Sequence, residues 1–192
     1  MSEIFESTPL AQPAAPENKF AIPVRYGLMV GFISMFLTTI TFLYILKWNF
    51  WAFSAFGFFM FVIPVIFYFI TARRQRLAFG GVIQLKDAFQ AVFIVIIISQ
   101  LISTVYGLIY TRYIDPECFV RMKEQMLAAF EKMGSMPQQS IDEQMDRMDQ
   151  TIADSTKTSV LLFSLAKSIV LHSIFGFIAA LVSSRKKPIV QP

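Results

Sequence analysis

A continuous apolar run, 88–110, constrains this chain more than any other feature. The run contains no charged residue and is rich in Ile, Val and Phe. A helix of roughly 20 apolar residues crosses hydrocarbon about 30 Å thick, and this run is long enough to do so. Because backbone polar groups must find partners within the chain inside lipid, the run is expected to be a transmembrane helix.

Three further blocks have the same character. The chain has 192 residues, of which 55% are hydrophobic and 21 are Phe, whereas an ordinary soluble domain is about 45–50% apolar. The four predicted spans are 26–46, 52–72, 88–110 and 160–183. They predict an all-α fold, an integral membrane four-helix bundle. The flanking segments 1–22 and 184–192 are expected to be a disordered cytoplasmic tail and a basic cytoplasmic tail.

The long polar segment between the third and fourth spans, 111–159, is predicted to form an extracytoplasmic amphipathic helical hairpin. Asp115 before Pro116 is typical of a helix start, with the carboxylate capping free backbone amides. Gly134 is expected to end the first helix, and Pro137 to open the second. Apolar side chains at helical spacing are expected to form a face that binds a partner. They are Phe119, Met122, Met126, Phe130, Met145 and Met148.

Basic residues are concentrated in short segments next to the apolar blocks. The net charge is only +4, so this distribution favours membrane orientation over nucleic-acid binding. It predicts a multi-pass protein of the bacterial inner membrane with both termini in the cytoplasm and the bilayer as its surroundings. Six of these side chains are expected to act as topology anchors or to bind lipid head groups. They are Arg73, Arg74, Arg76, Arg185, Lys186 and Lys187.

Polar side chains inside the predicted spans form the candidate site: Gln100, Ser103, Lys167 and His172. Lys167 can snorkel toward the outer surface. His172 lies near mid-membrane, where an imidazolium would be costly, so a neutral ring bonded to Gln100 is expected, with Gly107 and Ser168 on the shared face. The pair has two interpretations, an interhelical hydrogen bond worth about 1 kcal/mol or a proton-responsive or substrate-contacting site. The lack of an accompanying intramembrane carboxylate favours the first.

Small residues within the spans are expected to allow close helix packing. Gly27 and Gly31 have the spacing of a transmembrane dimerisation motif. Short loops already hold the helices of one chain together, which favours packing within the chain, and a homodimer is the alternative. Gly107 and Gly176 are predicted helix-packing positions in the third and fourth spans.

Several short motifs resemble the family catalogued as domain of unknown function 4199, four-span membrane proteins of Gram-negative bacteria. They are Gly80-Gly81, the Lys86-Asp87-Ala88-Phe89 start of the third span, and Tyr113-Ile114-Asp115-Pro116-Glu117 after it. The Met- and Gln-rich hairpin and the basic end of the chain also match. The resemblance covers about residues 20–187. The family has no established activity, so the resemblance implies architecture and location, and no catalytic residue.

The sequence offers little support for catalysis. The single cysteine, Cys118, is distant along the chain from the single histidine, and no cluster has metal-ligand spacing. A non-enzymatic membrane scaffold or accessory protein, whose hairpin binds an envelope partner, is therefore the leading hypothesis, with no cofactor expected. A small transporter or channel component using Gln100, Lys167 and His172 is the second. Copper handling by the Met-rich hairpin is the third, since thioethers can select Cu(I).

Overall fold

The computed structural model of this chain describes residues 18–45, 50–134, 137–154 and 157–184. Two of its helices end in a π-helical turn, which often marks functional positions. The elements are α1 (Ala21–Ile40, followed by the π turn Thr41–Ile45), α2 (Phe50–Ala78), α3 (Leu85–Ile109, followed by the π turn Tyr110–Ile114), α4 (Cys118–Met133), α5 (Gln138–Asp154) and α6 (Thr158–Ser183).

Four of the described helices are long and apolar enough to cross a membrane. Their spanning segments are Ala21–Tyr44, Ala52–Ala78, Leu85–Ile114 and Thr158–Ser183. The predicted all-α fold, a bundle of four membrane-spanning helices, is confirmed. Many large apolar side chains face outward from this bundle, as expected where lipid replaces water as the surroundings.

The bundle is organised around α3. This helix packs against α1 on one side and α6 on the other, and α2 contacts all three. The apolar core draws on α1, α2, α3 and α6, with Val30, Val92 and Ile96 among its fully buried members. Tyr68 is the one polar member of this cluster, and it leads to the candidate site.

The helices at the basic end of the bundle are longer than predicted. α2 continues to Ala78, so Arg73, Arg74 and Arg76 lie in its last turns rather than in a loop. Arginine is a good helix former, and its charge interacts favourably with a helix C-terminus. Gly80 and Gly81 then form the turn to α3 with φ angles of 73° and 89°, values at which a side chain would be strained.

The predicted tails overlap the described structure only in part. The disordered tail was expected to reach residue 22, but α1 already begins at Ala21 after a turn at residues 18–20. Residues 1–17 lie outside the described part of the chain. So do Arg185, Lys186 and Lys187, which were predicted as anchors after the fourth span.

Helices α4 and α5 pack against each other and form the segment between α3 and α6. Phe130, Ile141 and Met145 make a small buried cluster, with Met126 and Leu127 packed against it. Lys123 Nζ on α4 donates to Asp149 Oδ1 on α5 at 2.6 Å. The two helices therefore pack through an apolar interior and are also joined by an ion pair.

The start of this segment differs from the prediction. The helix begins at Cys118 rather than Pro116, and no side chain caps it. The carboxylate of Asp115 instead forms an ion pair with the Arg121 guanidinium. The guanidinium carries a full positive charge and the backbone amides do not, so the pair with Arg121 adds charge attraction to its hydrogen bond.

Candidate functional site: a buried polar cluster between α2, α3 and α6

A hydrogen bond between Tyr68 and His172 lies in the middle of the bundle. Tyr68 Oη and His172 Nδ1 are 2.9 Å apart. Tyr68 is fully buried and His172 is 7% exposed. Tyr68 is 10 residues from the end of α2, and His172 is 11 from the end of α6, so both lie roughly 15 Å from the basic end at 1.5 Å per residue. That depth is about half the hydrocarbon thickness.

Aromatic rings enclose the imidazole. The Phe61 ring centroid is 5.1 Å from that of His172, and Phe61 also makes an edge contact with Phe175. The Tyr68 ring meets the imidazole nearly at right angles, with 5.9 Å between the centroids. The imidazole therefore forms a hydrogen bond with one phenol and packs against aromatic rings.

A second polar bond lies one helical turn away. Ser168 Oγ on α6 donates to Gln100 Oε1 on α3 at 2.9 Å. The side chains of Gln100 and Ser99 also approach the Tyr68 hydroxyl. Since Ser168 and His172 are four residues apart, they share one face of α6. Polar side chains from α2, α3 and α6 thus meet in a single cluster, defined here as Tyr68, Ser99, Gln100, Ser168 and His172.

The predicted direct bond between Gln100 and His172 is wrong, because His172 bonds to Tyr68 and Gln100 bonds to Ser168. The cause is the axial position of α3 against α6. Gln100 is 15 residues from the start of α3, and Ser168 is 15 residues from the end of α6. These two side chains are therefore level, while His172 lies about 6 Å nearer the basic end. The expected contact between the two spans on the Ser168 face is present.

The other two residues predicted for the site do not belong to this cluster. Lys167 is exposed on α6, adjacent in sequence to Ser168 but on another face. Ser103 is half-buried, three residues beyond Gln100. An exposed Lys can run its apolar stem along the helix toward the membrane surface, so Lys167 fits the snorkelling interpretation.

Tyr68 was missed by the sequence reasoning, although a signal was present. It is the single tyrosine of α2, between Phe67 and Phe69 in a helix crowded with phenylalanine. A buried phenol usually finds a hydrogen-bond partner. A lone tyrosine within an apolar span therefore indicates a polar neighbour on another helix.

Two of the predicted packing glycines bring α1 and α3 together. A Cβ added at Gly27 would lie 2.9 Å from Ile98 Cβ, and one added at Gly31 would lie 2.6 Å from Ile102 Cδ1. At Gly176 on α6, an added Cβ would lie 2.8 Å from Ile96 Cδ1. The face that carries Gly27 and Gly31 is thus occupied by α3 of the same chain, which removes the sequence basis for a homodimer through this motif.

Gly107 differs from these three glycines. An added Cβ there would meet no atom within 4 Å, so no helix approaches it closely. At the end of α1 and α3 nearer the hairpin, the contact is made instead by polar and aromatic groups. The Thr39 and Tyr106 hydroxyls share a short hydrogen bond, and Phe42 stacks on Tyr110 with 5.4 Å between ring centroids.

The side chains predicted to bind a partner divide into two groups. Phe130 and Met145 are buried between α4 and α5, and Met126 packs against them. These three fill the interior of the hairpin and do not form an outer face. Methionine suits such irregular gaps because it is flexible and polarizable. Phe119, Met122 and Met148 are half-buried.

The junction between α3 and α4 holds the single cysteine. Cys118 is fully buried. Burial and the neighbouring Asp115 carboxylate raise the pKa of its thiol. A raised thiol pKa lowers the fraction of reactive thiolate at any given pH, so this cysteine is poorly suited to nucleophilic chemistry. Among the described residues, no three His, Cys, Asp or Glu side chains are grouped so that they could hold a metal ion.

Cationic side chains surround the opposite end of the bundle. Arg73 and Arg74 are exposed, while Arg76 is half-buried and its Nη1 donates to the Ser183 carbonyl at 3.4 Å. Arg76 therefore also ties the end of α2 to the end of α6. The two exposed arginines are free to face the membrane surface, where anionic head groups lie.

Comparison with known proteins gives one match. A search of curated proteins and a search of solved structures each returned no match to the chain. A family model described as "Protein of unknown function (DUF4199)" matches residues 25–185. This range includes the four spans almost entirely, the buried polar cluster and both helices of the hairpin. The chain therefore belongs to the DUF4199 family of proteins of unknown function.

Proposed function

We propose that this protein is a non-enzymatic membrane scaffold or accessory protein, whose α4–α5 hairpin binds an envelope partner outside the cytoplasm. The observation that carries the proposal is the construction of the hairpin. It has a buried cluster of its own, at Phe130, Ile141 and Met145, and an ion pair between its helices. The membrane bundle holds both ends of this unit through α3 and α6.

The internal packing of the bundle supports the same proposal. Four polar side chains at mid-membrane bond in pairs, Tyr68 with His172 and Ser168 with Gln100. A groove of about 540 Å³ lies along the outer side of α1, away from this cluster. Polar groups that are paired and packed stabilise a bundle, which suits a protein that holds another in place.

Charge indicates what kind of partner the hairpin would bind. Nine of the ten acidic residues in the described part of the chain lie between 115 and 154, against six Lys and Arg between 112 and 157, and Asp87 is the tenth acid. Glu143 and Asp146 are exposed on α5. The proposed partner therefore has a basic surface, since complementary charge increases the rate of encounter and disfavours wrong partners.

The proposed orientation places this acidic end outside the cytoplasm of a bacterial inner membrane. The other end carries six described cations and the single acid Asp87. The cations are Lys19, Arg25, Arg73, Arg74, Arg76 and Lys86. An excess of Lys and Arg in short segments marks the cytoplasmic side, so both termini are proposed to be cytoplasmic.

Site-specific photocrosslinking in native membranes tests the proposal. A photoreactive amino acid at Glu143 or at Asp146 is expected to give the same discrete adduct. The matched control carries it at Leu162, an exposed apolar position on α6, and is expected to lack that adduct. Reversing both acidic charges, Glu143→Lys with Asp146→Lys, should abolish capture from a third position, Gln139. Identical adducts from all positions, or capture that survives the charge reversal, would count against a specific hairpin partner.

A second candidate function depends on one observation, the buried imidazole bonded to Tyr68 at mid-membrane. Intramembrane ionisable residues often mark ion or proton pathways, so a small transporter or channel component is the alternative. Proteoliposomes containing a pH-sensitive dye distinguish the two. A transporter that uses His172 should show a proton flux that His172→Phe removes, whereas a scaffold should show no flux above that of empty liposomes.

A further inference from the structure

A groove of about 540 Å³ runs along the outer side of the first half of α1. Its walls are apolar and face away from the bundle, at Val24, Leu28 and Phe32, which are 39%, 43% and 62% exposed. Its mouth is polar and is formed by Asn18 and Arg25. The groove is therefore amphipathic, with its cationic end at the basic end of the bundle.

The groove is short enough to lie within one leaflet of the membrane. Phe32 is seven residues beyond Arg25 on α1, so the apolar part of the groove descends about 10 Å below Arg25 at 1.5 Å per residue. Half of the hydrocarbon thickness is about 15 Å. An occupant with a charged head and an apolar tail one leaflet long would thus place its head at Arg25 and its tail against Phe32.

The mouth of the groove is held in place by hydrogen bonds. The buried Gln75 side chain on α2 donates from Nε2 to the Lys19 carbonyl at 2.8 Å. Asn18 Oδ1 accepts from the Phe20 amide at 3.1 Å. The Lys19 ammonium lies 5.1 Å from the centroid of the Phe20 ring, and Phe20 lines the groove. The Lys19 ammonium therefore lies next to the Phe20 wall of the groove, where Lys19 also lines a small cavity with Gln75 and Asp87.

Neither cation makes an ion pair in the described structure, although Lys19 lines a small cavity together with Asp87. Within residues 18–45, 50–134, 137–154 and 157–184, neither Lys19 nor Arg25 forms an ion pair. Two cations above an apolar groove are complementary to a phosphate head group above an acyl chain. Each basic residue near a membrane surface contributes appreciably to attraction of anionic lipid.

We propose that the α1 groove binds one anionic phospholipid, with its phosphate at Arg25 and Lys19 and an acyl chain along Val24, Leu28 and Phe32. This site is distinct from the hairpin, and it does not depend on the proposed partner. It would hold the start of α1 at the membrane surface and give the protein a preference for anionic bilayers.

Photolabelling of the full-length protein in liposomes tests this site. The probe is phosphatidylglycerol with a diazirine in one acyl chain, and the comparison probe is phosphatidylcholine with the same chain. Adducts from the anionic probe are expected to concentrate on residues 18–32 and to exceed those from the zwitterionic probe. Arg25→Gln should reduce them about fivefold, whereas the matched control Arg74→Gln, an exposed arginine away from the groove, should not.

Three outcomes would overturn the proposal. Equal labelling by the two probes would show that no head group is selected. Equal loss in Arg25→Gln and Arg74→Gln would show attraction to general surface charge. Adducts that appear on residues 18–32 only after deletion of residues 2–17 would show that the N-terminal segment occupies the groove in the full chain. A second variant, Phe32→Ala, shortens the groove and should shift adducts toward Arg25 if the acyl chain lies along it.

Discussion

A hydrogen bond between Tyr68 and His172 joins α2 to α6. At that depth in the membrane, neither side chain has water as an alternative partner. In hydrocarbon the alternative to the bond is an unsatisfied polar group, which costs free energy. The measured contribution of such interhelical bonds is nevertheless modest, because polar groups of the unfolded chain also find partners in the membrane. The pair is therefore expected to set which faces meet more than to supply most of the stability.

Removal of the Tyr68 hydroxyl tests this role. Tyr68→Phe is expected to lower the free energy of unfolding by about 1 kcal/mol, because His172 Nδ1 loses its partner. The control is Tyr44→Phe, since Tyr44 is 69% exposed and should change stability little. Reversible unfolding in mixed micelles measures both. Equal stability of the two variants would contradict a structural role for the Tyr68–His172 bond.

Asp115 allows a second test at the residue level, because its carboxylate pairs with Arg121 and does not cap the helix. A capping carboxylate could be replaced by asparagine with little loss. A carboxylate that pairs with the Arg121 guanidinium could not be replaced by asparagine with little loss, since asparagine carries no charge. Asp115→Asn and Asp115→Ala should therefore destabilise the protein to a similar extent, by roughly 1.5–3 kcal/mol. A near-neutral Asp115→Asn beside a destabilising Asp115→Ala, measured by thermal unfolding, would restore the capping interpretation.

At the level of elements, α3 is the helix on which the others assemble. Gly27 and Gly31 allow α1 to approach it, and Gly176 allows α6 to do so. Without a hydrophobic driving force between helices in lipid, close packing of small residues is a main source of association. Adding a side chain at any of the three glycines is thus expected to destabilise the bundle. The loss should be larger where the neighbouring atoms lie closer.

Substitution of these glycines by alanine tests the packing directly. Gly31→Ala should destabilise the bundle by about 1–3 kcal/mol, because the new methyl group overlaps Ile102. The matched control is Gly57→Ala on α2, where an added Cβ meets nothing within 4 Å. That change should be neutral or stabilising by up to about 1 kcal/mol, since alanine favours helix. Similar losses in both variants would indicate a backbone effect in place of helix contact.

At the level of the whole molecule, the two ends of the bundle have opposite character. One end carries the hairpin, with nine of the ten described acids against six Lys and Arg, and the other carries six Lys and Arg against the one described acid Asp87. A membrane protein with this asymmetry is expected to be inserted in one orientation. The proposed partner and the proposed lipid would therefore be bound on opposite sides of the membrane.

Cysteine accessibility tests that orientation. After Cys118→Ser, a cysteine introduced by Glu143→Cys should react with a membrane-impermeant thiol reagent in intact cells. One introduced by Arg74→Cys should react only after the membrane is opened. Both native side chains are exposed, so burial would not explain a difference between them. The reverse pattern of labelling would overturn the proposed sidedness of every segment.

The amino-acid sequence by itself determined the number of spans, their approximate limits and the presence of a helical segment between the last two. Long apolar runs identify membrane-spanning segments directly, because placing a charged residue in hydrocarbon is energetically costly. The sequence also placed Gly27, Gly31 and Gly176 among the packing positions and Gln100 and His172 among the buried polar ones. Helical periodicity supplies such information because it depends only on neighbours along one helix.

Only the tertiary structure decided which of these side chains meet. Periodicity gives a face and a depth within each helix, but it does not give the axial shift of one helix against the next. A shift of four residues, about 6 Å, is what pairs Gln100 with Ser168 and leaves His172 to Tyr68. The same limit explains Asp115, whose local pattern predicts a cap and whose carboxylate instead binds Arg121. Side-chain pairing across elements depends on how whole helices pack, and that packing is settled by the sum of many weak contacts.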